Sequence, residues 1–249
     1  MTGIPDKQTI RIGGLNLEYV VAGNDAPIIV LINGAGGPIE GWHRVFSGLS
    51  ALGRVIAYNR PGVGGSSKPD EAQTGERMLA DLRALLQAVG LPPPYVLVGH
   101  SLGGLIANLY ARKHPEELSG IVLLEATAPE DVEVMTRYET RLQRLLLRLV
   151  AAAFGTNPLS ETAQAPRTVE QISAAPSFPP LPLVVLTGGK PALTWLTPAP
   201  ALSARAAHQV GLAALSPNGR QVIATKSGHF PQFSEPLLVI DSVRAVIAS

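Results

Sequence analysis

Short apolar runs broken by turn residues fill the first third of the chain. Residues 9–12 and 15–22 flank Gly13-Gly14 and read as a β-hairpin. The run 27–32, Pro-Ile-Ile-Val-Leu-Ile, is apolar throughout. A strand buried on both faces leaves that mark, whereas a half-exposed strand alternates. In 39–52, Trp42, Val45, Phe46 and Leu49 recur at helical spacing, and 55–58 is another short strand. Residues 76–89 are amphipathic, with Leu79, Leu82, Leu85, Leu86 and Val89 on one side, and Gly90 followed by prolines stops that helix. A strand at 95–98, a helix at 102–114 and a strand at 121–124 continue the rhythm. Alternation of this kind calls for an α/β fold with a mostly parallel central sheet flanked by helices.

From 126 to 180 the rhythm changes. A helix is expected over about 130–154, followed by a stretch rich in Pro, Ala, Ser and Thr. Strand and helix then alternate again: 183–186, a helix around 203–214, 221–225, and a last helix from 236. The middle segment is too small for its own core and reads as an insertion between two sheet strands. Its helix spaces Arg137, Arg141, Arg144 and Arg148 on one face, which suits a solvated side. Leu142, Leu145, Leu146 and Leu149 could then cover a pocket from the other side. The core is thus 1–125 with 181–249, and 126–180 is a small helical cap.

Composition narrows the field. The 249 residues are 46% hydrophobic, ample for a core, and 20 basic against 19 acidic residues leave a net charge of +1. That balance argues against a nucleic-acid partner held by bulk charge. No cysteine is present, which excludes disulfides, Cys-ligated zinc, Fe–S clusters and a Cys nucleophile. No signal peptide is expected from the first residues. The apolar stretch 142–154 is too short to span a bilayer and is interrupted by Arg144 and Arg148. A soluble, cytoplasmic protein without a membrane partner is the expectation, and no oligomeric state is implied.

The chemistry concentrates at Gly99-His100-Ser101-Leu102-Gly103-Gly104. A buried strand runs into Gly-x-Ser-x-Gly and then into a helix. A serine on such a tight turn projects above the sheet edge, and small residues two before and two after it let neighbouring backbone pass. The helix behind it favours developing negative charge.

With this motif the chain resembles the α/β-hydrolase family, in particular its esterase-like branch with an insertion after the sixth strand. Asn33-Gly34-Ala35-Gly36-Gly37 stands where the family commonly has a His-Gly oxyanion loop, with Asn33 a departure. The segment 59–67, Asn-Arg-Pro-Gly-Val-Gly-Gly-Ser-Ser, resembles the family's Arg-Gly-x-Gly-x-Ser turn. Ser227-Gly228-His229-Phe230 resembles the loop that carries the histidine. The resemblance implies a serine hydrolase on a carboxylic ester, needing no cofactor and no metal, with Ser101 as nucleophile and His229 as base. Backbone N–H groups of Ala35 and Leu102 would form the oxyanion hole. A phosphate cradle at 33–37 lacks the Lys and Ser/Thr of a P-loop. A C–C bond hydrolase, thioesterase, lactonase, acyltransferase or perhydrolase could use the same triad. A non-catalytic ligand-binding member of the fold is a further class.

Substrate contacts are expected from Asn33, Gly34, Trp42 and His100. Asn33 could instead hold its own loop, and ordinary packing is as open for Trp42 and for Trp195. His100, inside the elbow, should point away from Ser101. His43, His114 and His208 fit a first helix, a helix end and a structural helix position. The acid is unusual. Residues 171–234 contain neither Asp nor Glu, so the common position after 183–186 is empty. Glu125, at the end of the 121–124 strand, is the candidate, as in a subset of haloalkane dehalogenases that this placement resembles. Asp131 and Glu130 are rivals at the start of the cap helix, and the alternative for Glu125 is that it pairs with an arginine such as Arg60 or simply reaches water.

Overall fold

A computed structural model describes residues 3–137, 157–190 and 199–249. Arg141, Arg144, Arg148, the four cap leucines and Trp195 lie outside the described residues, as does the side chain of Arg137. Eight strands form one sheet in the order β1-β2-β4-β3-β5-β6-β7-β8. The hairpin of β1 (Gln8–Ile12) and β2 (Leu15–Ala22) is antiparallel, and β2 runs antiparallel to β4 (Arg54–Tyr58). All the other neighbours are parallel: β3 (Ile28–Ile32), β5 (Tyr95–His100), β6 (Leu118–Leu124), β7 (Leu183–Gly188) and β8 (Gly219–Ala224). The parallel strands therefore end at one edge of the sheet.

Both faces of the parallel strands are covered, which explains their continuous apolar runs. In β3, Val30 and Ile32 face a layer built by α2 (Gly75–Ala88) and α3 (Gly103–Lys113), with Leu79, Leu82, Leu105 and Leu109. Ile29 and Leu31 face the other side, where α1 (Phe46–Ser50) contributes Phe46 and Leu49. α8 (Pro236–Ile247) adds Val239 and Val243 to that side. The apolar spacing in 39–52 is split between a 3-10 turn, Ile39–Trp42, and α1. Thr74 caps α2 by accepting from the Arg77 N–H at 3.3 Å.

Between β6 and β7 the structure places α4 (Pro129–Arg137) and α5 (Ala165–Ala174). The sequence pattern did not anticipate α5 in its Pro/Ala/Ser/Thr-rich stretch. It is amphipathic, with Pro166 in its first turn, and it buries one side: Thr168 and Ile172 are buried, and Ile172 joins the α2/α3 core layer. Gln171 also accepts from the Glu76 N–H at 3.0 Å. After β7 come α6 (Ala199–Ala213) and, past β8, the short α7 (Pro231–Ser234). No helix among the described residues is long and apolar enough to cross a membrane.

Candidate active site

Among the described residues, two that are not glycine have left-handed backbone, Ser101 (φ 51°) and Glu125 (φ 43°). Each such residue costs roughly 1–2 kcal/mol and persists only where surrounding structure enforces it. Here the enforcement is visible. The Ser101 N–H donates to Leu124 O, the Glu125 N–H to Leu186 O, and the Thr127 N–H to Ser101 O. The ends of β5, β6 and β7 are tied at the points where the two side chains emerge. The elbow also needs its small residues: a Cβ on Gly103 would lie 2.2 Å from Ile32 O, and one on Gly99 2.8 Å from Gly103 O.

His229, on the loop after β8, meets both. Its Nε2 is 3.1 Å from Ser101 Oγ, and its Nδ1 is 3.5 Å from Glu125 Oε2. Glu125 is further held by the Gly188 N–H, 2.7 Å from Oε1, and by Arg205 Nη2, 2.8 Å from Oε2. Burial alone would raise the Glu125 pKa. The bonds from His229, Arg205 and Gly188 outweigh it and bring the group down to about 2. The carboxylate is thus ionised, as a partner for an imidazolium must be.

Asp131 does not reach His229. It accepts from the Ala128 N–H at the start of α4 (2.9 Å) and pairs with His208 (2.7 Å). Arg60 does not reach Glu125 either: it bonds the carbonyls of Asn33 (2.8 Å) and Gly34 (2.6 Å) and the carboxylate of Glu161. Arg205 and Glu161 escaped the sequence reading. Arg205 carried a signal, since it is the single charged residue between Lys190 and Arg220. Glu161 carried none.

Among the expected substrate contacts, Gly34 lies against Ser101, where an added Cβ would be 3.0 Å from Ser101 Cβ. Three others need correction. Trp42 is fully buried in the α1/α8 core layer, so its ring packs and does not face a ligand. Asn33 is buried and donates to Pro38 O at 2.8 Å, holding its own loop. His100 is buried beneath the histidine loop, with Nε2 2.8 Å from His229 O, and burial brings its pKa down to about 4. A neutral imidazole donating through Nε2 fits that position. Ala35 is exposed at the tip of its loop, and Leu102 begins the turn into α3. Among the described residues neither of their N–H groups donates to another protein atom.

One group of possible metal ligands occurs among the described residues: His114, Glu116 and Glu117. It lies at the start of β6, at the other end of the sheet from Ser101. Glu117 there is already bonded by Arg83 and Tyr110.

A family model described as alpha/beta hydrolase fold matches residues 27–171. The 1-acylglycerol-3-phosphate O-acyltransferase of Arabidopsis thaliana is 34% identical over 115 residues, 44% of this chain and 27% of that protein. The 2-hydroxy-6-oxo-6-(2'-aminophenyl)hexa-2,4-dienoic acid hydrolase of Metapseudomonas resinovorans is 32% identical over 117 residues, 46% of this chain and 40% of that one. The chain thus spans less than half the length of these curated relatives. A solved thermophilic esterase from Thermogutta terrifontis superposes with a TM-score of 0.67 at 22% identity, covering 98% of both chains, which is a likeness of fold.

Proposed function

The chain belongs to the α/β-hydrolase fold family, and from that membership we propose a serine hydrolase that cleaves carboxylic esters through an acyl-enzyme. The observation that carries the reading is the 3.1 Å contact of His229 Nε2 with Ser101 Oγ at a left-handed Ser101. Ser101 Oγ attacks the carbonyl carbon while His229 Nε2 takes its proton. The N–H groups of Ala35 and Leu102 receive the oxyanion, and Glu125 stabilises the imidazolium from the Nδ1 side. The alcohol leaves with the proton from His229, and water then releases the acid by the reverse sequence. A small, largely apolar substrate suits the surroundings: Phe230, about half exposed, stacks on Phe233 at 5.6 Å beside His229.

The test is a fluorophosphonate probe together with a p-nitrophenyl ester chain-length series, run on wild type and Ser101→Ala. Labelling at Ser101 and loss of turnover in the variant are expected. Residual kcat above about a thousandth of wild type would remove Ser101 from the nucleophile role. Absence of labelling would favour a ligand-binding protein on the same fold. A C–C bond hydrolase is the second reading, favoured by the match to the dienoic acid hydrolase. It predicts turnover of 2-hydroxy-6-oxo-dienoates exceeding that of simple esters.

A further inference from the structure

The loop expected to supply one oxyanion donor is held from behind by a charge pair. Arg60, 3% exposed, sends Nη1 to Asn33 O and Nη2 to Gly34 O, the carbonyls of two successive peptides. A buried guanidinium needs a counter-charge, and Glu161 supplies it, its Oε2 2.5 Å from Arg60 Nε. The other oxygen of Glu161 accepts the Gly36 N–H. One carboxylate therefore orients the arginine and also fixes the peptide that follows Ala35. Glu161 belongs to the segment between β6 and β7, 101 residues from Arg60 in sequence.

Planarity gives this clamp a consequence. In a trans peptide the N–H points opposite to the C=O. Arg60 draws Gly34 O to its own side, so the Ala35 N–H is turned away from Arg60. On its other flank the loop meets the nucleophile, with Gly34 packed against Ser101. Remove the carboxylate, and Arg60 becomes an uncompensated buried cation while Gly36 loses its acceptor. The Gly34–Ala35 peptide then keeps the Gly37 N–H, 3.1 Å from Gly34 O, but loses the charge pair that fixes Arg60 on that carbonyl, and its aim is less tightly set.

We propose that Glu161 is a positioning residue for the oxyanion hole: through Arg60 and Gly36 it aims the Ala35 N–H at the substrate oxygen. This rests on the serine-hydrolase reading above. Its mark is selective loss of transition-state binding, because the oxyanion exists in the tetrahedral intermediate and not in the bound ester.

The experiment compares wild type, Glu161→Gln, Glu161→Ala and the exposed control Glu170→Gln on p-nitrophenyl acetate. An aryl trifluoromethyl ketone, which forms a hemiketal oxyanion with an active serine, is the second probe, and thermal melting checks folding. Glu161→Gln and Glu161→Ala should lose kcat by about tenfold to a hundredfold, somewhat less than deletion of an oxyanion donor. KM should stay within about threefold, and the ketone's Ki should rise by the same factor as kcat/KM falls. Glu170→Gln should match wild type. Unchanged kcat/KM in both Glu161 variants would overturn the inference while leaving the hydrolase reading standing. So would a fall in kcat/KM without a rise in Ki, which marks a general structural role. A wild-type protein inert to both ester and ketone would remove the hydrolase reading and this inference together.

Discussion

Arg205 holds Glu125 more closely than His229 does. Its Nη2 lies 2.8 Å from Glu125 Oε2, whereas His229 Nδ1 stands 3.5 Å from the same oxygen. The guanidinium also donates to the Glu125 main-chain carbonyl at 3.1 Å, so it braces both the side chain and the left-handed backbone that carries it. An acid at the end of β6 thus receives support from α6, the helix that follows β7. Arg205→Met should lower kcat by about tenfold, since the carboxylate loses the contact that orients it. It should also cost about 2 kcal/mol for leaving a buried carboxylate half-paired, or roughly 5 °C in Tm for a chain of this size. Unchanged turnover and melting would show that Gly188 and His229 suffice to hold Glu125.

Glu125→Gln keeps the shape and removes the charge. On the proposed mechanism turnover should fall by about two orders of magnitude or more, because the imidazolium formed as Ser101 attacks would lose its counter-charge. Asp131→Asn should lower Tm, through the α4 cap and the His208 pair, while kcat stays within about threefold. Steady-state kinetics on the two variants decide between the acids; equal effects would mean that the triad acid is not Glu125.

Acid stability should be lost in two windows. Burial holds the folded pKa of His100 at about 4, below the 6.5 of a free imidazole. The unfolded chain therefore takes up its proton first, and the contribution present above pH 6.5 is lost as pH falls to 4. Its size is about 3 kcal/mol at 1.4 kcal/mol per pH unit. Glu125, depressed to about 2 from 4.5, adds stability above pH 4.5 that is lost as pH falls toward 2. Denaturant melts from pH 8 to 3 should show the first slope, and His100→Gln should flatten it. An unchanged slope in that variant would assign the acid sensitivity elsewhere.

Gly103→Ala should be disabling without touching any catalytic group. The added Cβ would sit 2.2 Å from Ile32 O, and a strand carbonyl cannot move aside as a flexible side chain can. The expected cost is about 3 kcal/mol, read as a Tm drop of roughly 6–12 °C with turnover reduced in parallel. A variant with wild-type melting would show that the β3–α3 approach is looser than the structure has it.

Sequence alone determined what depends on consecutive residues. The unbroken apolar run of β3 implies a strand covered on both faces, and the strand–Gly-x-Ser-x-Gly–helix order implies a turn carrying Ser101. Both follow from local sterics and from side-chain periodicity. The place of Glu125 at the sheet edge of Ser101 was legible because it ends the apolar run 120–124, while residues 171–234 hold no carboxylate. Tertiary structure decided what depends on distance in space. Arg205 lies 80 residues from Glu125 and Glu161 lies 101 from Arg60, and a Coulomb pair leaves no periodic trace along the chain. Burial decided the rest. Trp42 and His100 are near the site in sequence order, yet the sheet and the histidine loop close over them. Residues 165–174 do carry a helical pattern, with Pro166 in the first turn and Thr168 and Ile172 four apart on the buried side, but the surrounding Pro/Ala/Ser/Thr-rich composition masked it.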